Sequence, residues 1–327
     1  MAKVEHFCLD QARASGVNTF CTELNHALNE QGFASAVIRD FPSLSNRSDL
    51  SDLVLHLHGL WHCELHRASI WARKRGIPVV WSTHGMTAPW AMRHKGWKKW
   101  PAWFLYQKRD LREAVFVHCT SAQEVSWNGG FRCVVIPLGT RENGETALAK
   151  DRTRPLRVLF VGRIHPVKGL MNLAKAARML EPDVEFRIVG PDENGYMNAL
   201  RDVGCRFDFA GPKFGEELSR EYDDCDILVL PSESENFGGV VVDALAHGRP
   251  VIASRSTPWK ILEDRQCGWW VDNGPASLAK TIAMASKISR EELGMMGARG
   301  RNLVRERFTW ESVSRQMIAV YEKCLKV

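Results

Sequence analysis

The feature that most constrains this chain is a regular alternation of short apolar runs with amphipathic, helix-like stretches along almost all of its 327 residues. Such an alternation predicts parallel sheets built from βαβ units. In the first half the predicted strands are VEHFCL, SAVIRD, DLVLHLHG, PVVWSTHG, VFVHCTS and CVVIPLG. In the second half they are LRVLFVG, VEFRIVG, CRFDFAG, DILVLPS, RPVIAS and GWWV. We therefore expect an α/β fold.

The alternation is interrupted once, by a polar stretch at residues 141–155 that is typical of a linker. The chain length also favours two domains of ordinary size. We predict a first domain over residues 1–140, a second over residues 156–308, and a last helix over residues 309–327 as a candidate to pack back toward the first domain. The other predicted helices cover residues 17–31 (ended by Gly32), 169–180, 194–203, 214–224, 238–247, 275–287 and 290–305.

Composition excludes several classes of protein. A hydrophobic content of 45% and a charged content of 25% are those of a soluble globular protein. The formal charge of +6 permits anionic ligands without demanding nucleic acid. Nine scattered cysteines with no C-x-x-C pair argue against a disulfide framework and favour a reduced compartment. Since no stretch approaches the ~20 apolar residues of a membrane span, we expect a cytoplasmic protein.

In open α/β folds, ligands bind beyond the carboxyl ends of the strands. The strand LRVLFVG leads there into the loop that carries Gly162, Arg163 and Lys168, after which a helix starts at Gly169. Two cations beside a helix N-terminus are suited to a phosphate or a diphosphate. The alternative is a solvated basic loop.

A second loop follows DILVLPS at the same predicted edge and contains Glu235, Phe237, Gly238 and Gly239. Adjacent glycines let backbone amides approach a ligand at the start of the next helix. Asp243 is the only acid of that helix, and its carboxylate can accept hydrogen bonds from sugar hydroxyls. The alternative for Asp243 is a helix-dipole carboxylate or a structural salt bridge. Together the two loops predict a nucleotide-sugar site.

These loops resemble those of the retaining glycosyltransferases of family four, whose GT-B fold has two Rossmann-like domains facing each other across a cleft. VGRIHPVKG is similar to the family's G-R-x4-K-G loop, which implies that Arg163 and Lys168 hold the donor diphosphate. SENFGGVVVDALAHGRPVIA is similar to its E-x7-E motif. The resemblance implies that Glu235 contacts the donor sugar and that Asp243, one methylene shorter than the usual glutamate, contacts the ribose.

The resemblance extends to the first domain. ASGVNTF is similar to the family's glycine-bearing loop, which implies that Gly16 lines the donor phosphate and the acceptor side. In WSTHGM, the resemblance implies that His84 faces the donor sugar. In HLHGLW, it implies that His58 lines the cleft and contacts acceptor or donor.

Two patterns suggest a metal, and we expect neither to hold one. His56 and His58 share one face of a strand, and His62 and His66 lie one turn apart on a helix, so zinc is an alternative for this cluster. No companion carboxylate pattern or cysteine pair supports it. YDDCD contains a formal D-x-D at residues 224–226, but it precedes its strand instead of following it. We interpret it as a turn at the edge away from the cleft.

Residues 89–112 combine seven lysines or arginines with one aspartate, and interleave them with aromatic residues. Such a segment can lie in a membrane interface beside anionic lipids. Alternatively, the aromatic rings pack on the first domain and the charges face water. Single-stranded nucleic acid would also use stacking rings and cations, but nothing else in the sequence supports it, and we expect no nucleic-acid partner.

The expected function is therefore transfer of a sugar, with retention, from a UDP- or GDP-linked donor to a glycan or lipid-linked acceptor, without an essential metal. The expected setting is cell-envelope or extracellular polysaccharide assembly, at the inner face of the membrane. One alternative is a sugar-nucleotide epimerase or a phosphorylase on the same fold. Another is a nucleotide-sugar-binding subunit that has lost catalysis.

Overall fold

The computed structural model describes residues 2–9, 16–142 and 155–326. The chain divides into two compact units, residues 1–139 with 310–327, and residues 140–309. Most of the predicted linker, residues 143–154, lies outside the described residues.

The first unit is built on a six-stranded sheet in which every described strand pair is parallel, in the order β2-β1-β3-β4-β5-β6. Its strands are β1 (Lys3–Phe7), β2 (Ala34–Ile38), β3 (Leu53–His58), β4 (Val79–Ser82), β5 (Phe116–Cys119) and β6 (Cys133–Val135). Its first helices are α1 (Gly16–Glu30), α2 (Phe41–Ser45), α3 (Cys63–Arg73), α4 (Pro89–Arg93), α5 (Gly96–Ala102), α6 (Lys108–Glu113) and α7 (Ala122–Trp127), with a π-helical turn over Trp103–Gln107. All six predicted strands are confirmed.

Local chemistry accounts for these elements. Helix α1 ends where predicted, because Gly32 adopts a φ of +74° and the chain reverses, with the amide of Phe33 donating to the carbonyl of Leu28. Strand β3 is buried at all six positions, as a central strand covered on both faces must be. It nevertheless carries His56 and His58, so a polar network must lie within this core.

The second unit is built on a six-stranded sheet, also with parallel pairs, in the order β12-β11-β10-β7-β8-β9. Its strands are β7 (Leu156–Val161), β8 (Val184–Val189), β9 (Phe207–Gly211), β10 (Ile227–Leu230), β11 (Val251–Ser254) and β12 (Gly268–Val271). Its helices are α8 (Leu170–Ala177), α9 (Tyr196–Asp202), α10 (Gly215–Asp224), α11 (Gly239–Ala246), α12 (Ile261–Asp264), α13 (Pro275–Lys287) and α14 (Arg290–Arg307). These strands are also confirmed.

The last helix, α15 (Trp310–Cys324), belongs to the first unit, where it packs beside α1. The D-x-D stretch is not the turn that we predicted, since Asp224 is the last residue of α10. Asp226 precedes β10, is fully buried, and forms an ion pair with Arg290 at 2.5 Å. This stretch therefore stabilises the amino-terminal edge of the second sheet.

Candidate functional site

Strands β7 and β10 lie side by side in the middle of the second sheet, and the strand order runs outward from them in opposite directions. At such a switch point the loops after the two strands diverge and leave a crevice at the carboxyl edge. The loop after β7 carries Arg163 and Lys168, and the loop after β10 carries Glu235. The sheet order thus brings three predicted site residues to one edge.

Gly169 allows these two loops to touch. It adopts a φ of +68° between the 3₁₀ turn Pro166–Lys168 and helix α8. A Cβ at this position would lie 1.8 Å from the carbonyl oxygen of Pro231, which follows β10. The amide of Glu233 donates to the carbonyl of Val167 at 2.8 Å, which ties the loops together. A side chain at Gly169 would force them apart.

Lys168 and Glu235 form an ion pair between these loops, with Nζ 2.5 Å from Oε2. Their side chains are only 18% and 14% exposed. The hydroxyl of Ser232 donates to the same oxygen at 3.2 Å. Each charge is held in place by its partner, and a phosphate that entered this edge would compete with Glu235 for the ammonium group.

Arg163 is held by a residue that the sequence did not single out. Its Nη1 donates to both carboxylate oxygens of Glu193, at 2.9 and 3.0 Å. Glu193 follows β8, the strand next to β7. Its place just after a strand, at the same edge as Arg163, is the sequence signal that could have identified it. The two loops pass close together at glycines, because a Cβ at Gly190 would lie 1.9 Å from the carbonyl oxygen of Gly162.

The start of helix α11 is shaped by Gly238, which adopts a φ of +82°. A Cβ there would lie 2.8 Å from a methyl group of Leu230. The first amides of a helix that begins at Gly239 have no i−4 partner within it, although the amide of Val241 donates back to the carbonyl of Gly238 at 2.9 Å. Phe237, predicted to bind the donor, has a buried side chain whose ring lies 5.0 Å from that of Trp259, which also donates its Nε1–H to the carbonyl of Phe237. The Phe237 side chain thus belongs to the core.

Asp243 lies in α11 and is half-buried. Its Oδ1 accepts a hydrogen bond from the hydroxyl of Thr140 at 2.6 Å. Burial raises the pKa of the Asp243 carboxyl, while Thr140 and the nearby His247 lower it in part. Among the described residues no lysine or arginine pairs with it, so they give the salt-bridge alternative no support.

In the first unit, His84 follows β4 and adopts a φ of +49°, which is uncommon for a residue with a side chain. The fully buried Glu124 holds this loop, because its Oε1 accepts from the hydroxyl of Thr83 and the amide of Gly85, at 2.6 Å each. Its Oε2 accepts from the amide of Thr120 at 2.7 Å. Glu124 was not among the predicted site residues, although it stands three residues after the helix-capping serine in TSAQE.

The structure does not bring together the four histidines of the zinc alternative, His56, His58, His62 and His66. His62 is exposed at the start of α3, and His66 pairs with Asp110 at 2.7 Å. The histidines that do come together are His6, His56 and His58, whose potential ligand atoms lie within 4.8 Å of one another.

Four ring nitrogens of the buried His56 and His58 already have protein partners. His56 contacts the hydroxyls of Tyr321 and Ser82, at 2.8 and 2.7 Å. His58 contacts His6 through Nε2 at 3.0 Å and His84 through Nδ1 at 3.1 Å. The structure therefore joins the two predicted histidines, His58 and His84.

Gly16, the remaining predicted donor residue, begins helix α1. A Cβ built there meets no atom within 4 Å. Residues 10–15, which include part of the predicted glycine-bearing loop, lie outside the described residues.

Segment 89–112 exposes much of its aromatic surface. Trp97, Phe104 and Leu105 are 75%, 72% and 79% exposed, and Trp100 stacks on Phe104 with ring centroids 5.9 Å apart. By contrast, Trp103 packs against the rings of Trp61 and Phe131. Packing on the first unit thus accounts for only part of the segment. Within the described ranges no helix is both long and apolar enough to cross a bilayer.

Comparison with known proteins identifies the family. Residues 22–139 match the glycosyl transferase 4-like domain, and residues 155–287 match the glycosyl transferases group 1. The D-inositol 3-phosphate glycosyltransferase of Corynebacterium kroppenstedtii is 32% identical over 52% of this chain and 41% of its own length. The MMP alpha-(1->4)-mannosyltransferase of Mycolicibacterium hassiacum is 29% identical over 70% of this chain and 59% of its own. The chain thus spans about half the length of these relatives.

Solved structures share the fold. The sucrose-phosphate synthase of Thermosynechococcus elongatus is 19% identical, with a TM-score of 0.82 over the whole of both chains. HepE of Anabaena, in complex with UDP-glucose, is 17% identical, with a TM-score of 0.77 over 99% of this chain and 100% of that one. They show that the chain has the GT-B fold. The two family matches together cover more than half of the residues, so the chain belongs to the glycosyl transferases with a 4-like domain and a group 1 domain.

Proposed function

We propose that this protein transfers a sugar from a nucleoside diphosphate sugar, UDP- or GDP-linked, to an acceptor hydroxyl with retention of configuration. The observation that carries the proposal is the Lys168–Glu235 pair at the switch point of the second sheet. It offers an ammonium group for a phosphate and a carboxylate for sugar hydroxyls. Arg163, from the same loop as Lys168, would extend the site to a diphosphate, and Asp243 would bind the ribose.

The names of similar proteins support this proposal. The HepE structure contains UDP-glucose, and the curated relatives are named as glycosyl- and mannosyltransferases. We further propose that the acceptor is a glycan of the cell envelope. We assign contact with the donor sugar to His84 on the resemblance. His58, predicted to contact acceptor or donor, is buried and bonded through both ring nitrogens, so it would act through His84.

In the proposed reaction the cations act on the leaving group. Arg163 and Lys168 would stabilise the negative charge that develops on the diphosphate as its bond to the anomeric carbon breaks, and the first-turn amides of α11 would add their dipoles. The acceptor oxygen attacks the anomeric carbon from the face that the diphosphate leaves, and the departing phosphate oxygen takes the acceptor proton. Glu235, already held by Lys168 and Ser232, would position the sugar and not attack it. With cations on the diphosphate, no metal is required.

The decisive variant is Lys168→Ala, with Lys175→Ala, an exposed lysine of helix α8, as its control. A panel of nucleotide sugars is screened by thermal shift, and products formed with membrane extracts are identified by mass. Loss of Lys168 or Arg163 should lower the transfer rate on the order of 100-fold, as removal of one preorganised donor does, while the control stays near wild type. Near wild-type turnover in both Lys168→Ala and Arg163→Ala would contradict the site assignment. Donor conversion without acceptor would instead indicate an epimerase, and binding without any turnover an inactive subunit.

We further propose that segment 89–112 binds an anionic membrane surface, where a lipid-linked acceptor would be found. Trp97, Trp100 and Phe104 follow each other at intervals of three and four residues, so they share one side of a helical segment that faces away from the core. Exposed cations lie among them, and the ammonium of Lys98 sits 4.8 Å from the ring of Trp97. Rings for the interface and cations for lipid phosphates thus lie together.

Co-sedimentation with vesicles tests this proposal. Vesicles that contain phosphatidylglycerol should bind the protein weakly, binding should fall as salt rises, and pure phosphatidylcholine vesicles should bind little. Phe104→Ser should reduce binding, while Phe214→Ser, which changes a phenylalanine 63% exposed in the other unit, should not. Equal binding to both kinds of vesicle, or none to either, would leave the segment without a membrane role.

A further inference from the structure

His84 ends a row of buried imidazoles that crosses the first sheet. His6 on β1 and His58 on β3 are joined through Nδ1 of His6 and Nε2 of His58 at 3.0 Å. Nδ1 of His58 then meets Nε2 of His84 at 3.1 Å. His6 and His58 are fully buried, and Phe20 of α1 packs over His58 and His84. Burial lowers the pKa of all three rings, to about 3 for His6 and His84, so they are neutral at physiological pH.

A neutral imidazole has one N–H and one bare nitrogen, so each ring in a chain passes the direction of hydrogen bonding to the next. A second row of hydrogen bonds, which runs from Tyr321 to His118, shows how the group at one end of a row fixes which atoms donate and which accept. Nε2 of His118 lies 2.8 Å from the carbonyl oxygen of Ile136, which can only accept. The proton of His118 is thus on Nε2, Ser82 donates to its Nδ1, His56 donates to Ser82, and Tyr321 donates to His56.

The direction of hydrogen bonding in the His6–His58–His84 row follows from its His6 end. Nε2 of His6 is buried and has no hydrogen-bond partner among the described residues. If the row ran from His84 to His6, this nitrogen would carry an N–H with nothing to accept it. In the opposite direction it carries only a lone pair. Among backbone groups, a buried N–H without an acceptor is rarer than a buried carbonyl without a donor, and we apply the same rule to this ring. His6 therefore donates to His58, and His58 donates to His84.

We propose that this imidazole row fixes His84 as the tautomer with its proton on Nδ1, so that His84 offers an N–H to an oxygen of the substrate and cannot act there as a base. Nε2 of His84 is occupied as an acceptor from His58, and its Nδ1 has no partner in the described part of the chain. His6 and His58 are then positioning residues, and only His84 touches the ligand. The assignment of the ligand as a donor-sugar oxygen rests on the proposed function.

The tautomer is read directly by ¹⁵N–¹H correlation of the imidazole rings in the full-length protein, with the His84 signals assigned by their loss in His84→Gln. We expect a protonated Nδ1 and an unprotonated Nε2 in wild type at neutral pH. A proton on Nε2, or a charged ring, would overturn the proposal. Because this readout needs no substrate, the expected tautomer in a protein that binds no nucleotide sugar would reject the proposed function and leave the row intact.

Variants test the relay through the row. His6→Leu removes the first donor, so His58 and His84 should populate both tautomers, and kcat should fall about 3- to 10-fold, the range of one neutral hydrogen bond. His6→Asn keeps an N–H near the Nδ1 position and should restore both the tautomer and the rate. Tyr321→Phe is the control, since it perturbs the neighbouring row in the same core and should leave the His84 signals unchanged. An unchanged tautomer in a folded His6→Leu protein would overturn the relay.

Discussion

The substitution Asp243→Asn tests the ribose assignment because it removes a charge and keeps the shape of the side chain. In the structure one carboxylate oxygen accepts from Thr140 at 2.6 Å. Among the described residues no cationic lysine or arginine offsets the charge. A ribose hydroxyl would thus meet an acceptor whose charge is not already used in an ion pair.

The loss of affinity follows from the kind of hydrogen bond. A hydrogen bond to a charged group contributes roughly 1.5 to 3 kcal/mol and one between neutral groups about 0.5 to 1.5 kcal/mol. The difference, about 1 to 1.5 kcal/mol, corresponds to ~5- to 13-fold in the dissociation constant. We expect Asp243→Asn to bind the donor nucleotide more weakly by this factor. Asp243→Ala loses the acceptor altogether and should bind ~10- to 100-fold more weakly.

Asp243→Asn should weaken nucleotide binding, but it should not destabilise the fold. Burial raises the pKa of Asp243 above its value of 3.8 in an exposed setting, so the folded state favours the protonated carboxyl. Wild type therefore loses stability as the pH rises through the folded pKa. Asparagine does not titrate, so Asp243→Asn does not lose stability in this way. The variant should be at least as stable as wild type at neutral pH, and this advantage should shrink as the pH falls toward 3.8.

Calorimetry with UDP and 2′,3′-dideoxy-UDP, or the matching guanine nucleotides, measures the binding effect, and urea unfolding from neutral to acid pH measures stability. Thr140→Val is the control, because it removes the internal hydrogen bond and should leave the preference for ribose intact. If Asp243→Asn is less stable than wild type at neutral pH and keeps that preference, Asp243 is a structural partner of Thr140 and the reasoning is wrong.

Two further predictions concern the backbone and the metal. Gly169→Ala should lower the free energy of unfolding by about 2 kcal/mol or more, measured in urea, because a left-handed φ and a carbonyl 1.8 Å from the new Cβ both oppose it. Gly16→Ala, whose Cβ meets nothing within 4 Å, is the control, and an equal effect in both would contradict this reasoning. Transfer should survive EDTA, and the protein should contain no stoichiometric zinc. Zinc at one per chain, with activity lost on its removal, would contradict the expectation of no essential metal and would direct attention to His6, His56 and His58.

The sequence predicted the strands and the positions of the loops well, because these depend on local patterns. Apolar periodicity identified every strand of both sheets, including GWWV. The glycine in VKG predicted the start of the next helix, and the structure shows why no other residue fits there. Gly32 predicted the end of α1 for the same kind of reason, a backbone conformation that favours glycine.

The sequence failed where the outcome depends on which side chains meet. His56 and His62 are only six residues apart, yet one is buried in the sheet and the other is exposed at a helix start. His6 joins His58 from 52 positions away because β1 and β3 pair in one register. Nothing near Glu124 in the chain indicates that it holds the loop around His84.

What the sequence by itself determined is the set of elements and the chemistry at their ends, since backbone preference and apolar periodicity act over a few residues. Only the tertiary structure decided the partners: Lys168 with Glu235, Arg163 with Glu193, and His58 with His84. The physical reason is that strand order and register set which loops share an edge. Burial then requires each polar group to find its partner among whatever that arrangement brings near.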